Sequence, residues 1–517
     1  MGSLWLDPPL TATTDALEPG TRADLIVVGA GLTGLTTAIL AAERGREVIV
    51  LEARHLGAGT TGHTTAKVSL LQGTVLSGIR SHADDAELGA YVAANRLGQE
   101  WLLGFLRDAG ARVETRDAWT YAVTPAGRGA VGRERDAARA AGLQVEESLE
   151  TGLPFEVTAA LRLPDQAQIH AGEALTALAD RLRAAGGRLV TGARVVGVDA
   201  GSPVTVKVLR EAEAVPEGEP ANEEPASEEV AVTARQVVLA TGTPILDRGL
   251  HFARLEPLRS YALSFAVPGP VPTGMYLSVD QPNRSVRTAT LGTSTELLVG
   301  GEGHVVGRGG STRQRVAAIT AWTQQHFPGA RPTHQWSAQD YRSTRRLPLA
   351  GRMPGTDGAV FLATGFNKWG MTNAVAAAMA LAGDLEGERP QWANELYGHV
   401  DGATDVADGL RVNVAVAARL ARGWAEGIVR SATEQPPAEG SGVVGRSGAG
   451  PVATSTVDGR TCAVSAVCTH LGGVVQWNDA ELTWDCPLHG SRFAADGRRL
   501  EGPAVRDLGP RPEAVEE

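Results

Sequence analysis

Cysteine is nearly missing from this chain. Its 517 residues hold three, Cys462, Cys468 and Cys486, all beyond position 460. Three sulfurs in so long a chain exclude a disulfide framework. Long apolar runs are missing too. The longest, 25–42, is interrupted by Gly29, Gly31 and Gly34, and reads as strand, turn and helix rather than as a membrane span. No positively charged segment followed by an apolar one opens the chain, so no secretory signal is expected and the expected location is the cytoplasm. Basic residues are not in excess. There are 48 against 59 acidic ones, for a net charge of −11. Segment 211–230 alone carries eight Glu with no Lys or Arg, and the remainder sums to only −3. The acidity is therefore local and reads as a solvated loop. The bulk gives no electrostatic case for nucleic acid or an anionic membrane.

Glycine, by contrast, is abundant at 63 residues, mostly in short turn-like clusters. The length suggests two to four domains. Residues 24–52 give a β-branched run, a Gly turn, an Ala/Leu-rich helix, a Gly stop and a second β-branched run, which is a βαβ unit. Residues 84–142 read as mostly helical, and 173–186 as an amphipathic helix with a Gly stop. Strands follow on both sides of the acidic run, which is expected to be an insertion between two antiparallel strands. Residues 255–340 alternate short apolar runs with turns, as in an antiparallel sheet. Residues 359–384 repeat strand, Gly loop and helix, and 411–430 read as helix. The Pro-, Gly- and Ser-rich stretch 432–450 marks a linker and domain entry. A small β-rich unit, 451–517, closes the chain.

Gly29-Ala30-Gly31-Leu32-Thr33-Gly34 matches G-x-G-x-x-G. Alone the motif is weak. Here it follows a strand, opens a helix, and is followed by Glu52 at the end of the next strand. Gly29 permits the tight turn, Gly31 lets the backbone approach a pyrophosphate, and Gly34 lets helix and strand pack closely. The helix start offers N–H groups to the phosphates. Glu52 suits ribose hydroxyls and argues against a 2′-phosphate. The alternative is a Gly-rich turn without a ligand. No second such motif opens a helix, and a single unit near the N-terminus points to FAD as a resident cofactor rather than NAD.

Several further segments fit one family. Gly57-Ala58-Gly59-Thr60-Thr61-Gly62-His63-Thr64-Thr65-Ala66 is a Gly/Thr-rich loop. Val237–Gly242 is a strand ending in Ala-Thr-Gly. Leu347–Arg352, Phe361–Phe366 and Gly370-Met371-Thr372 form a closing set. In this order they resemble the D-amino-acid-oxidase and glycine-oxidase superfamily of FAD enzymes over the first 400 residues. The loop GTTGHTTA departs from that family's usual G-x-S-G-R. The resemblance implies an α/β Rossmann-like FAD-binding domain with an α+β antiparallel-sheet substrate domain. It places Gly29, Gly31, Leu32, Thr33, Gly34, Glu52, Ala53, Thr61, Gly62, His63, Thr64, Thr65, Val195, Thr241, Gly242, Gly365, Lys368, Gly370, Met371 and Thr372 around FAD. The helix from Thr372 to Gly383 would aim its N-terminus at the flavin and stabilise negative charge there on reduction. His63 and Lys368 are the candidates for catalytic proton transfer or substrate binding, with His170 a weaker third. For each, a structural contact is the alternative. Arg345 and Arg346 suit a substrate carboxylate by bidentate pairing, or else a surface or phosphate contact.

The last unit carries Cys468-Thr469-His470 and Cys486-Pro487-Leu488-His489. A Rieske centre needs two thiolates on one iron and two imidazoles on the other, and each motif supplies one of each. A structural zinc site with the same four ligands is the alternative, but zinc motifs usually pair Cys with Cys and His with His. With Leu471-Gly472-Gly473, Gly490-Ser491-Arg492-Phe493 and Gly502-Pro503, the stretch 462–503 closely resembles Rieske [2Fe–2S] domains, which are small and all-β. Respiratory members carry two more Cys that tie the ligand loops. The matching positions are Gly473 and Leu488, so that bridge cannot form. Ser491 stands where a hydroxyl donates to a cluster sulfur, and Phe493 where those proteins often have a Tyr donor. Fewer donors imply a potential below the respiratory type.

The resulting division is 22–430 for the FAD-dependent part, 431–450 for linker and domain entry, and 451–517 for the Rieske part. Within the first, 22–80, 166–254 and 341–385 are assigned to FAD binding, 85–165 and 255–340 to the substrate domain, and 386–430 to a helical connection. The joint reading is hydride transfer from an amine, amino acid or similar small molecule to FAD. Single electrons then pass through the cluster to or from a carrier such as a ferredoxin or cytochrome. An electron-transfer flavoprotein linked to NAD(P)H or ferredoxin, or a redox sensor, is the alternative.

Overall fold

The computed structural model describes residues 2–210, 228–246, 248, 251–398, 435–447 and 450–511. The expected helix at 411–430, most of the acidic run and part of the linker lie outside these residues.

The βαβ unit forms as its sequence dictates. Strand Arg22–Val28 is central, with Val48–Leu51 and then Arg188–Val190 parallel on one side, and Glu228–Leu239 and then Val360–Thr364 parallel on the other. Leu349–Arg352 adds an antiparallel edge. Leu25, Ile26 and Val27 are wholly buried, as a sheet covered on both faces requires. Each such side chain contributes roughly 1.5–3 kcal/mol of burial. Helices Leu32–Ala42 and Gly370–Glu386 pack together beneath this sheet, rich in alanine that lets their backbones come close. Strand Glu228–Leu239 outruns its parallel partners, and its first half pairs antiparallel with Val204–Arg210. The acidic insertion thus leaves from the end of an antiparallel pair, as expected.

A second sheet runs Arg331–Ser343, Leu255–Ala266, Ser294–Val305, Arg284–Leu291, Met275–Ser278, Val113–Ala122, Ala159–Ile169 and Lys67–Val68. It is antiparallel except where Met275–Ser278 runs parallel to Val113–Ala122. The region 84–142 is mostly helical, as expected, but helices Asp85–Asp108 and Pro125–Ala140 flank a strand, Val113–Ala122, that was not anticipated. Its first half carries Glu114, Arg116 and Asp117 and is at most half-buried, while its second half, Ala118 to Ala122, is buried throughout, so no alternation marks it as a strand.

The C-terminal unit has a three-stranded sheet, Ser441–Ser447, Gly450–Val457 and Arg460–Ser465, and a four-stranded one, Gln476–Asn478, Thr483–Asp485, Arg492–Ala494 and Arg499–Glu501. Trp484, Phe493 and Val475 fill its core. Strand Ser441–Ser447 lies within the stretch assigned to linker and domain entry. Among the described residues no helix is long and apolar enough to cross a membrane.

The small unit is held firmly against the large one. Asp479 accepts hydrogen bonds from the backbone N–H of Thr312 (2.7 Å) and Arg313 (2.9 Å) and from the Ser311 hydroxyl (2.5 Å). It thereby caps helix Thr312–His326 across the boundary.

Candidate active site and cluster loops

A large cavity opens at the C-terminal ends of the parallel strands, floored by the glycine motif. Gly29 sits at φ +106°, and a Cβ there would stand 2.6 Å from the Ala240 carbonyl oxygen. A Cβ on Gly34 would stand 1.9 Å from the Gly29 carbonyl oxygen. Strand, turn and helix therefore close on one another so tightly that only glycine fits. The Leu32 N–H donates to the Thr61 hydroxyl at 3.1 Å, so the second loop lies over the helix start. The Glu52 carboxylate accepts from the Ala30 N–H (2.9 Å) and the Arg54 N–H (3.1 Å), which fixes it at the end of its strand.

Of the residues expected around FAD, Gly29, Gly31, Leu32, Thr33, Glu52, Ala53, Thr61, His63, Thr64, Thr65, Val195, Thr241, Gly242, Lys368, Gly370 and Met371 line this cavity. Gly34, Gly62, Gly365 and Thr372 stand behind the wall. Gly62 packs on Gly57, with a Cβ position 2.0 Å from the Gly57 carbonyl oxygen. Gly365, at φ +79°, turns the chain toward helix Gly370–Glu386. Thr372 is buried in a polar network with Asn95 and Gln72 that anchors that helix start.

The catalytic candidates separate. His63 bonds through Nδ1 to the Gly59 carbonyl at 2.9 Å, and burial draws its pKa down, so it is neutral at neutral pH. Lys368, at φ +70°, is exposed, but it faces the cavity; its Nζ donates to the Ser260 hydroxyl at 2.6 Å. Desolvation brings its pKa to about 8. Its backbone N–H donates to Asp340, whose own burial raises it to about 6. His170 does not line the cavity: it caps helix Ala171–Ala184 through the Glu173 N–H and meets Trp5 edge-on at 5.0 Å. Arg345 pairs with Glu87 at 2.7 Å, also away from the cavity.

Three features escaped the sequence reading. Lys67 is almost fully buried, lines the cavity, and donates to the Tyr276 carbonyl and the Ser285 hydroxyl, both at 2.7 Å. Burial and then Arg287 bring its pKa to about 7. A lysine inside the apolar run AKVSLL was the available signal. Gln339 and Tyr341 form part of the wall, though nothing in their strand marks them. So do residues 499–502 and 504–505, which come from the small unit.

The two cysteine–histidine loops are built alike. Gly472 N–H donates to the Cys468 carbonyl and Gly490 N–H to the Cys486 carbonyl, both at 3.0 Å, and both glycines have positive φ. The cysteine sulfurs hydrogen-bond to each other, which draws Cys468 down to about 7 and pushes Cys486 up. The His470 and His489 rings lie 4.9 Å apart at 85°. Sulfurs thus meet sulfurs and imidazoles meet imidazoles. This pairing of like ligands suits a two-iron centre with divided ligands. A Cβ on Gly473 would lie 2.8 Å from the Leu488 side chain and 2.9 Å from the Cys486 sulfur. Leu488 therefore packs directly against Gly473, the two positions that the resemblance matches to the bridging pair. The Ser491 hydroxyl bonds the Cys468 sulfur, and Phe493 is buried.

The loop Cys486–Gly490 faces the large unit. Gly307 packs on Pro487, Arg308 donates to the Pro487 carbonyl at 3.0 Å, and Phe252 stands edge-on to both histidine rings. Beside it runs a charge ladder. Arg259, wholly buried, pairs with Glu481 (2.7 Å) and Asp485 (3.0 Å). Arg492 pairs with Glu481, Asp485 and Glu501, and Arg54 with Glu501. Burial opposes charge on Arg259, but Asp485, Glu481 and Glu501 outweigh it and hold the guanidinium charged. Three arginines thus meet three carboxylates, with no buried charge left over.

Comparison with known proteins fits this geometry. The sequence model of the FAD dependent oxidoreductase family matches residues 24–383, and that of the Rieske [2Fe-2S] domain matches 430–512. A putative Rieske 2Fe-2S iron-sulfur protein of Bacillus subtilis is 29% identical over 503 residues, 95% of this chain and 94% of its own. The cytochrome b6-f complex iron-sulfur subunit of a Synechococcus strain is 56% identical over 45 residues, 9% of this chain and 26% of its own. Among solved structures, glycine oxidase from Geobacillus kaustophilus superposes with a TM-score of 0.59 at 17% identity, covering 73% of this chain and 98% of that one. The chain belongs to the FAD-dependent oxidoreductase family, carries a Rieske domain at its C-terminal end, and uses FAD and a [2Fe–2S] cluster.

Proposed function

We propose that this oxidoreductase oxidises an amine or amino acid and passes the electrons singly, through its cluster, to a one-electron carrier such as a ferredoxin or cytochrome. One observation carries the reading: residues 499–502 and 504–505 of the Rieske domain wall the same cavity as the glycine motif. A cluster domain that merely rode along would not need to close the flavin site.

Gly29, Gly31, Leu32, Thr33 and Thr61 would hold the FAD diphosphate, where helix N–H groups favour anions. Glu52, Ala53 and Val195 would hold its adenosine. Thr64, Thr65, Thr241, Gly242, Lys368, Gly370 and Met371 would border the flavin ring. Cys468 and Cys486 would ligate one iron, and His470 and His489 the other. Bound FAD supplies two-electron acceptance, and the cluster supplies one-electron steps. Converting an amine to an imine releases two electrons and two protons, so two carrier molecules are reduced per turnover.

The chain's own residues supply the rest. An ammonium has three donors, and Lys67 spends two on Tyr276 and Ser285. The third, on a cation that has no carboxylate partner among the described residues, suits the carboxylate of an amino acid. Neutral His63 and Lys368, with its pKa near 8, are placed to accept a proton at the cavity wall. Glycine oxidase, which shares the fold, is named for such a substrate.

The test is anaerobic mixing with a panel of amines and amino acids, then NADH and NADPH, following flavin bleaching and the cluster EPR signal together. Bleaching by an amine, followed by the cluster signal, is expected. Reduction by a nicotinamide alone would overturn the reading.

A further inference from the structure

Gln339 lies at the meeting point of the two cofactor sites and is 6% exposed. Its Nε2 donates to the Gly490 carbonyl at 2.8 Å and to the Tyr341 hydroxyl at 2.9 Å. Its Oε1 accepts from Arg259 Nη2 at 2.7 Å. The amide cannot be turned over. Arg259 only donates and the Gly490 carbonyl only accepts, so oxygen and nitrogen each have one permitted place. Its backbone carbonyl accepts from the Thr60 hydroxyl at 2.6 Å, which ties the same residue to the Gly/Thr-rich loop. Gln339 and Tyr341 both line the cavity, while Gly490 follows His489 in the cluster loop.

The packing is as tight as the bonding. A Cβ on Gly490 would fall 2.7 Å from Gln339 Nε2 and from Pro257 Cβ, and 3.3 Å from the Tyr341 hydroxyl. Gly490 is at φ +81°, so backbone, not side chain, touches the amide. The other cluster loop is different: its Leu471 is 42% exposed, and nothing lies within 4 Å of a Cβ on Gly472. One of two similar loops is therefore seated on the flavin domain, and Gln339 holds its Gly490 end while Gly307 and Arg308 hold Pro487.

We propose that Gln339, with Tyr341, couples the two cofactors: it is a positioning residue that fixes the His489–Gly490 loop against the flavin cavity and supplies an unbroken hydrogen-bonded route between them. The inference rests on the reading that flavin and cluster exchange electrons. Electron tunnelling weakens steeply with every added gap, so a bonded, void-free contact is what such an exchange needs. The electron leaves reduced flavin and arrives on the oxidised cluster, one per step, with no bond made or broken in Gln339.

The test uses the full holoprotein, anaerobic, with the flavin reduced by a light flash and an external photodonor, so that no substrate is required. Cluster reduction is followed by absorbance and by EPR after rapid freezing, and both potentials are titrated. In Gln339→Leu, electron arrival at the cluster should slow severalfold, because the leucine cannot bond to the Gly490 carbonyl or the Tyr341 hydroxyl and the contact that carries the electron opens. Potentials and EPR line shape should stay as in the parent, which separates positioning from a changed driving force. Gln339→Glu, isosteric but no longer a donor to Gly490 and Tyr341, should slow it likewise and serves if the leucine variant fails to load. Tyr341→Phe should slow it less. Parent-like transfer in either loaded Gln339 variant overturns the inference. If flash-reduced flavin does not reduce the cluster in the parent protein, the proposed function itself fails.

Discussion

The two cofactor sites of this molecule are assembled in opposite ways. The four proposed cluster ligands come from two short loops, Cys468–His470 and Cys486–His489, of similar build and set 4.9 Å apart at their imidazole rings. The flavin cavity draws its wall from segments scattered between Val28 and Val505. A site made of neighbours in sequence must announce itself in sequence. A site made by folding is legible only where a backbone constraint leaves a mark, as at Gly29 and Gly34.

That contrast predicts how each site breaks. Cys486→Ser should abolish the cluster outright, with iron content near zero, while flavin content stays at the parent level; retained iron would refute the ligand set. Gly29→Ala should do the reverse. A methyl group 2.6 Å from the Ala240 carbonyl oxygen, at φ +106°, forces local strain of about 1–3 kcal/mol. Flavin occupancy should fall roughly tenfold or more while the cluster spectrum persists. If both cofactors vanish together, the two sites are one folding unit and the contrast is false.

The next prediction concerns the cavity alone. Lys67→Met should weaken binding of a carboxylate-bearing substrate by about 2 kcal/mol, the size of a charged hydrogen bond, seen as a raised KM. The pH dependence carries a sign. Burial lowers Lys67 to about 7, so the cation that attracts an anion exists below that pH and is lost above it. Substrate affinity should be flat well below pH 7 and fall as pH rises through it, levelling off roughly thirtyfold weaker, as 2 kcal/mol requires. The methionine variant should lose that dependence. A flat profile in the parent protein would show that Lys67 does not meet the substrate's charge. The smallest expected effect is on the cluster potential, which should lie below the respiratory type because Phe493 offers no donor where those proteins often have a tyrosine. A titration giving a respiratory value would remove that argument.

How much of this was legible follows the same division. The βαβ unit and both cluster motifs could be read because local chemistry fixes them: β-branched strands, a turn only glycine fits, and paired soft and imidazole ligands. The antiparallel strands flanking the acidic insertion could be read from alternation alone. Strand Val113–Ala122 could not, because its charged first half and uniformly buried second half leave no alternation to read among helix-forming neighbours. Gln339 and Tyr341 were invisible for another reason, and Lys67 showed only as a charge inside an apolar run. Their importance lies in what the fold sets beside them, on strands paired with distant segments. His170 and Arg345 show the converse. Each has a residue type that suits catalysis or anion binding, yet each is occupied elsewhere, one capping a helix and the other paired with Glu87.

Leu488 against Gly473 has a practical meaning for assembly. By the resemblance set out above, respiratory Rieske domains would close the same gap with a disulfide, a link that must be oxidised to form and can be opened by thiols. Here an aliphatic side chain fills it, and the chain's remaining cysteine, Cys462, sits on another strand. The clasp over the cluster is thus set by folding alone. Its tightness should be indifferent to dithiothreitol or glutathione, so the same holoprotein can be matured and handled under strongly reducing conditions.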